Sequence, residues 1–198
     1  TTAVNLAACL GAMSHPTLLV DIDPQSNATS GCGLDPNNLE ASIYDALSEG
    51  IRPPVFSLHD RFPNLSIVPA SMDLAGVEFE LIENQNREFV LQQALNQLDH
   101  DFEFIVIDCP PSLGLLTVNA MVIADWVLVP VQAEYLSLEG LSRMIHTIQR
   151  IQRTRNPRLK LLGVVVTMFD GRTNLANQVV EELERAFPDK LMKTRIQR

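Results

Sequence analysis

Two apolar runs that each end in aspartate and proline constrain the fold of this chain most strongly. One spans residues 17–25 with the sequence TLLVDIDPQ, and the other spans residues 104–112 with the sequence FIVIDCPPS. Apolar residues without polar alternation predict strands buried on both faces, as in parallel sheets. Because proline cannot extend a strand ladder, each strand is expected to end at its aspartate.

Three carboxylates, those of Asp21, Asp23 and Asp108, follow these two predicted strands. The carboxyl ends of parallel strands form the crevice where α/β proteins bind ligands, so the three are expected to converge. For either strand alone, an aspartate that only caps the next turn would be the simpler interpretation. Three carboxylates held close together repel one another, and no lysine or arginine lies nearby in the sequence to neutralise them. A bound cation is therefore expected at this point. Magnesium is the economical choice, since it prefers carboxylate and water oxygens and usually arrives with phosphates.

Strands and helices alternate along the rest of the chain. This order predicts an α/β fold, a mostly parallel twisted sheet with helices on both faces, in a single domain of residues 1–198. Residues 25–33 are small and polar and predict a loop, and Ser112 is the expected N-cap of the helix that follows. The other expected strands cover residues 65–69, 126–131, 161–168 and 190–196, and the helices cover residues 1–13, 43–47, 72–83, 85–99, 113–124, 136–153 and 173–187.

Composition excludes several classes of protein. No apolar run is long enough to span a bilayer and no signal peptide is visible. The three cysteines lack the spacing of a disulfide framework, a zinc site or an iron–sulfur site, which fits a reducing cytoplasm.

The net charge is −9, but it is distributed unevenly along the chain. Residues 1–142 hold 3 basic and 19 acidic residues, whereas residues 143–198 hold 12 basic and 5 acidic ones. Such asymmetry can mark an end that binds a polyanion.

Five segments resemble the ParA/Soj family of partition ATPases, from end to end and in order. The most specific pairing is Asp-x-Asp-Pro-Gln at residues 21–25 with Asp-Cys-Pro-Pro-Ser at residues 108–112. The other matching segments are residues 1–7 (TTAVNLA), 130–134 (PVQAE) and 138–141 (LEGL).

The resemblance implies a deviant Walker P-loop ATPase that uses ATP and Mg²⁺. It implies an ATP-sandwiched homodimer that binds DNA non-specifically, is stimulated by a ParB-type partner, and lies in the cytoplasm on the nucleoid without contacting a membrane. Two alternatives stay open at this stage: a membrane-associated MinD-like ATPase, and a binding or scaffold module that has lost its P-loop.

The family pattern also implies roles for individual residues. Asp108 is expected to hold magnesium through water, with Asp21 as the neighbouring carboxylate, and Asp23 to orient the attacking water. Thr1 and Thr2 match the end of a threonine run at the nucleotide, so Thr1 is either the magnesium ligand or a neighbour of the α-phosphate. Two further matches are Glu134, near the nucleotide and the dimer face, and Arg172, at the DNA.

The chain departs from the family pattern in four places. The P-loop and the strand before it are absent ahead of Thr1, and about fifty family residues are absent after Arg198. Ser26 stands where a glycine is usual, and Gln197 where a proline is usual. Both ends therefore look truncated, the 198 residues are expected to have little activity by themselves, and strands 104–108 and 126–131 are expected to have unpaired edges.

Overall fold

The computed structural model describes residues 1–99, 101–134 and 136–198, which form two compact units, Thr1–Ala120 and Met121–Arg198. Within the described residues each unit contains one sheet, and β-strands pair in parallel in both except for one short antiparallel pair. The α/β class with mostly parallel strands is therefore confirmed, whereas the single-domain organisation stays a prediction. No helix in the described ranges is long and apolar enough to cross a membrane.

The first unit has a four-stranded sheet in the order β2-β3-β1-β4. The strands are β1 (Thr17–Asp21), β2 (Phe56–Ser57), β3 (Leu65–Val68) and β4 (Phe104–Asp108), and β2 is the antiparallel strand. The helices are α1 (Thr2–Ala12), α2 (Asn27–Gly31), α3 (Ile43–Ser48), α4 (Val77–Glu80) and α5 (Val90–Leu95), with 3₁₀ turns at Met72–Ala75 and Arg87–Phe89.

The second unit has a three-stranded parallel sheet in the order β5-β6-β7. Helix α6 (Leu115–Ile123) crosses the boundary between the units. The remaining elements are β5 (Trp126–Gln132), α7 (Leu136–Thr154), β6 (Lys160–Phe169), α8 (Asn174–Ala186) and β7 (Leu191–Gln197).

The strands expected to be buried on both faces differ in how far the structure buries them. β1 is fully buried, as expected. β4 and β5 are not: Ile105 is 47% exposed and Trp126 is 52% exposed. In the described chain β4 pairs only with β1, and β5 only with β6, so each lies at the edge of its sheet, as expected for these two strands. An edge strand lacks neighbours on one side, and its side chains are correspondingly less covered.

Three local expectations are wrong. The predicted loop 25–33 contains helix α2, and the two predicted helices between residues 72 and 99 are broken into short pieces. Ser112 does not cap α6. The Glu78 side chain does so instead, since its Oε1 accepts a hydrogen bond from the Leu115 backbone N–H at 2.7 Å. A carboxylate at the positive end of a helix is a stronger acceptor than a serine hydroxyl.

The core of the first unit fixes α1 and α2 on the same side of its sheet. Ala7 from α1 and Ala28 from α2 pack in one buried cluster with Leu19, Leu65 and Ile67 from β1 and β3. Small residues on the two helices allow them to approach the sheet closely. The N-terminal parts of both helices are thereby held near the carboxyl ends of the strands, where the predicted site lies.

Candidate nucleotide and metal site

The register of β1 and β4 brings two predicted site residues side by side. The strands pair in parallel from Thr17 opposite Phe104 to Asp21 opposite Asp108. The Ile22 backbone N–H also donates to the Asp108 carbonyl oxygen at 3.0 Å, which holds the two strand ends together. Two aspartates therefore lie at one edge of the sheet, as the apolar-run pattern predicts.

Asp21 is fully buried, and protein donors engage both of its carboxylate oxygens. Oδ2 accepts hydrogen bonds from the Thr29 backbone N–H at 2.8 Å and from the Thr29 hydroxyl at 2.7 Å, and Oδ1 accepts from the Asp23 N–H at 3.1 Å. The Thr29 hydroxyl in turn accepts from the Ala70 N–H at 2.9 Å. This network joins β1, α2 and the chain after β3. The metal role of Asp21 stays a prediction, while its geometry is that of a scaffold.

Asp108 is only half-buried, and its carboxylate has no hydrogen-bond donor in the described chain. Burial, followed by the negative charge of Asp21, raises the pKa of Asp108 above its ordinary value. The start of α1 lies near this carboxylate, since Thr1 is close enough to influence the pKa of Asp108. An anion with free oxygens and an unfavourable environment is suited to a cation.

Asp23 lies on the loop after β1 and is half-buried. Its Oδ1 accepts a hydrogen bond from the Gln25 N–H at 2.9 Å, which stabilises the turn, and its Oδ2 has no hydrogen-bond partner in the described chain. One oxygen is thus held in place while the other is available to a ligand or water.

The donor set fits magnesium, though not as an all-protein cage. Within the described residues, no three acidic, histidine or cysteine side chains gather closely enough to hold a metal ion. Asp21, Asp23 and Asp108 nevertheless lie near one another, since, after burial, the charges of Asp21 and Asp23 both raise the pKa of Asp108, although protein donors engage both oxygens of Asp21. The metal roles of Asp108 and Asp21 stay predictions. Asp108 offers unoccupied carboxylate oxygens, and Mg²⁺ is commonly held by one or two carboxylates together with water and substrate phosphates.

The Cys109 thiol lies beside Asp108. Burial, and then the charge of Asp108, raises its pKa to about 12, so the thiol stays neutral.

Ser26, the residue before α2, has a backbone conformation that suits the glycine of the family pattern at this position. Its φ of 51° and ψ of 32° place it in the left-handed region, and its buried hydroxyl has no hydrogen-bond partner in the described chain. The left-handed conformation costs a non-glycine residue about 1–2 kcal/mol. An unpaired buried polar group costs about 1–3 kcal/mol more.

Ser26→Gly is therefore expected to stabilise the protein. The gain is reduced by the extra chain entropy of glycine in the unfolded state, so about 1 kcal/mol, or roughly 2–4 °C in Tm, should remain. Thermal unfolding followed by circular dichroism measures it. Ser26→Ala is the matched control, because it removes the hydroxyl and keeps the strained Cβ, and it should gain less. A lower Tm for Ser26→Gly would contradict the argument.

Thr1 and Thr2 begin α1. Thr1 is exposed and Thr2 is half-buried, and the Thr1 side chain makes no capping hydrogen bond, whereas its carbonyl oxygen accepts from the Asn5 N–H at 3.1 Å. Their nucleotide contacts stay a prediction.

Glu134 and Arg172 belong to the second unit. Glu134 is exposed just after β5. Arg172 lies on the exposed turn between β6 and α8, where its guanidinium pairs with Asp170. The structure thus brings Asp21, Asp23 and Asp108 together in one unit, and places these two residues in the other.

Three residues with evident structural roles were not predicted from the sequence. The sequence indicates the role of Thr29 only weakly, through a hydroxyl residue eight positions after the strand-end aspartate Asp21. The sequence indicates the role of Asp170 more clearly, since an Asp two residues before an Arg suits a turn in which the two side chains meet. No local pattern indicates the role of Glu78, because it caps a helix 37 residues further along the chain.

Comparisons with known proteins find a matching family model and similar curated proteins. A family model described as an AAA domain matches residues 1–161. The chromosome partitioning protein ParA of Myxococcus xanthus is 51% identical over 188 residues, which cover 94% of this chain and 66% of that protein. The sporulation initiation inhibitor protein Soj of Bacillus subtilis is 46% identical over 198 residues, which cover 100% of this chain and 78% of that protein.

A solved structure shares the fold over the whole chain. Cobyrinic acid a,c-diamide synthase from Mycobacterium smegmatis, with bound ATP analog and magnesium, superimposes with a TM-score of 0.90 at 36% identity, covering 100% of this chain and 81% of that one. The chain is thus similar in sequence to two partition proteins, and in fold to a protein that binds nucleotide and magnesium.

Proposed function

This chain belongs to the ParA/Soj family of partition ATPases, and from that premise we propose that it acts in DNA partitioning as a nucleotide-driven switch. In this proposal the full-length protein binds ATP with Mg²⁺, dimerises in the ATP state and binds DNA without sequence preference. A ParB-type partner then stimulates hydrolysis. The observation that carries the nucleotide part is the pairing of the β1 and β4 ends, with the Asp108 carboxylate left free of protein donors.

Each site residue has a role in this scheme. Asp108 holds magnesium through water, Asp23 orients the attacking water through its free oxygen, and Asp21 keeps the loop in position. Thr1, Thr2 and Glu134 contact the nucleotide. The bound magnesium would neutralise phosphate charge, and the protein's part in phosphoryl transfer is positioning and electrostatic stabilisation. The fold neighbour with an ATP analog and magnesium supports the choice of ligands.

The charge distribution supports the DNA part of the proposal. Basic residues outnumber acidic ones by seven in residues 143–198, although the rest of the chain is strongly acidic. Arg172 is 90% exposed at its side chain and is proposed to contact the phosphate backbone. Phosphate contacts carry no sequence information, so binding should not depend on base sequence. A dimer doubles the number of contacts, and linkage raises the effective concentration of the second site. The protein would then work in the cytoplasm, on the nucleoid.

Fluorescence anisotropy with two unrelated DNA duplexes tests the proposal on the full-length gene product. We expect both duplexes to bind with similar affinity when ATP and Mg²⁺ are present, and much more weakly with ADP or without nucleotide. Arg172→Ala should weaken both complexes equally. Equal affinity in all nucleotide states would contradict the switch.

Two further assays separate the alternatives. ATP-dependent sedimentation with anionic vesicles, without DNA binding, would indicate a membrane-associated ATPase of the MinD kind. Absence of ATP hydrolysis with and without a ParB-type partner would indicate a scaffold.

A further inference from the structure

Asp170 and Arg172 form a two-point ion pair on the turn between β6 and α8. Arg172 Nε donates to Asp170 Oδ1 at 2.9 Å and Arg172 Nη2 donates to Asp170 Oδ2 at 2.7 Å. The Arg172 backbone N–H also donates to Asp170 Oδ1, at 3.1 Å. The acid is the anchored member, with 27% of its side chain exposed against 90% for the arginine. The guanidinium is therefore held against the turn by one of its edges.

This arrangement changes what Arg172 offers to a polyanion. Arginine binds phosphate best through two parallel N–H donors, and one such pair is already occupied by Asp170. Hydrogen bonds from Arg172 lower the pKa of Asp170 to about 2, so the carboxylate keeps its charge at any ordinary working pH. The pair is thus close to neutral, although the guanidinium is exposed.

We infer that Asp170 limits the affinity of this surface for a phosphodiester backbone by competing for the guanidinium of Arg172. The inference rests on the proposed DNA binding and adds a residue that tunes it. In this view a phosphate either displaces the carboxylate or binds a guanidinium whose charge is already compensated. In both cases the net release of counterions is smaller than a free arginine would give.

Asp170→Asn removes the negative charge of the side chain and keeps its size and shape. Asparagine keeps an oxygen that can accept from the Arg172 backbone and Nε, so the turn should persist while the negative charge is lost. In the full-length protein with ATP, we expect DNA affinity to rise by roughly three- to tenfold at 50 mM salt, and the slope of log K against log salt to steepen by roughly 0.9 per subunit. Arg172→Ala should change that slope strongly in the Asp170→Asn background and weakly in the wild-type background.

Asp189→Asn is the matched control. Asp189 is an exposed acid in the same unit, and its replacement changes the net charge by the same amount. A gain equal to that of Asp170→Asn would show that only net charge matters and would overturn the inference. Unchanged or weaker DNA binding by Asp170→Asn, with circular dichroism showing an intact fold, would overturn it as well. If the wild-type protein binds no DNA in any nucleotide state, the proposed function itself fails, which is a distinguishable result.

Discussion

Asp23→Ala in the full-length gene product is expected to lower kcat for ATP hydrolysis by roughly 10²-fold or more, while ATP binding and ATP-driven dimerisation persist. Asp23 holds its turn through one oxygen and leaves the other free of protein donors. A carboxylate placed in this way can orient a water molecule without being needed to hold the nucleotide. Steady-state turnover, stopped-flow nucleotide binding and size-exclusion chromatography with ATP measure the three quantities separately.

Asp108→Ala provides the contrast for this experiment. Asp108 is the carboxylate with unoccupied oxygens at the strand end, so its loss should abolish most of the Mg²⁺ dependence of ATP affinity. A useful result therefore needs both variants, one losing turnover and the other losing magnesium-dependent binding. If Asp23→Ala loses binding in parallel with turnover, or if Asp108→Ala keeps its full Mg²⁺ dependence, the corresponding role is wrong.

Asp21→Ala is expected to lower the free energy of unfolding by about 2–4 kcal/mol. Its removal leaves three donors unpaired in a buried region: the N–H groups of Thr29 and Asp23, and the Thr29 hydroxyl. Relief of the cost of burying the carboxylate, which raises its pKa, offsets part of this loss. Denaturant unfolding at neutral pH, with EDTA present, measures the effect without any contribution from a metal.

Thr29→Val is the matched variant for Asp21→Ala. It removes the hydroxyl and keeps the backbone N–H that donates to Asp21, so its cost should be smaller, about 1–2 kcal/mol. The two effects should also be less than additive, because they disrupt one network. An Asp21→Ala protein as stable as the wild type in EDTA would contradict the scaffold role.

Several properties of this protein follow from local sequence alone. Four apolar residues precede Asp108 and three precede Asp21, and these short runs, bounded by proline, favour buried strands. The prolines that follow stop both ladders, and alternation with helices makes the sheets mostly parallel. The aspartates were therefore predictable as strand-end residues, and the segments around them sufficed to identify the family, which the comparisons confirm.

Tertiary structure alone decided which carboxylate is engaged by protein donors and which is left open to a ligand. Asp21 and Asp108 have equivalent positions at the ends of paired strands, and no sequence pattern distinguishes their roles. The difference arises because α2 places Thr29 against Asp21, whereas the described chain places no donor against Asp108. The exposure of β4 and β5 likewise depends on which strands pair, and the compensation of Arg172 depends on the geometry of one turn. Hydrogen bonds and burial act between groups brought together by folding, so they appear only when the partners are in place.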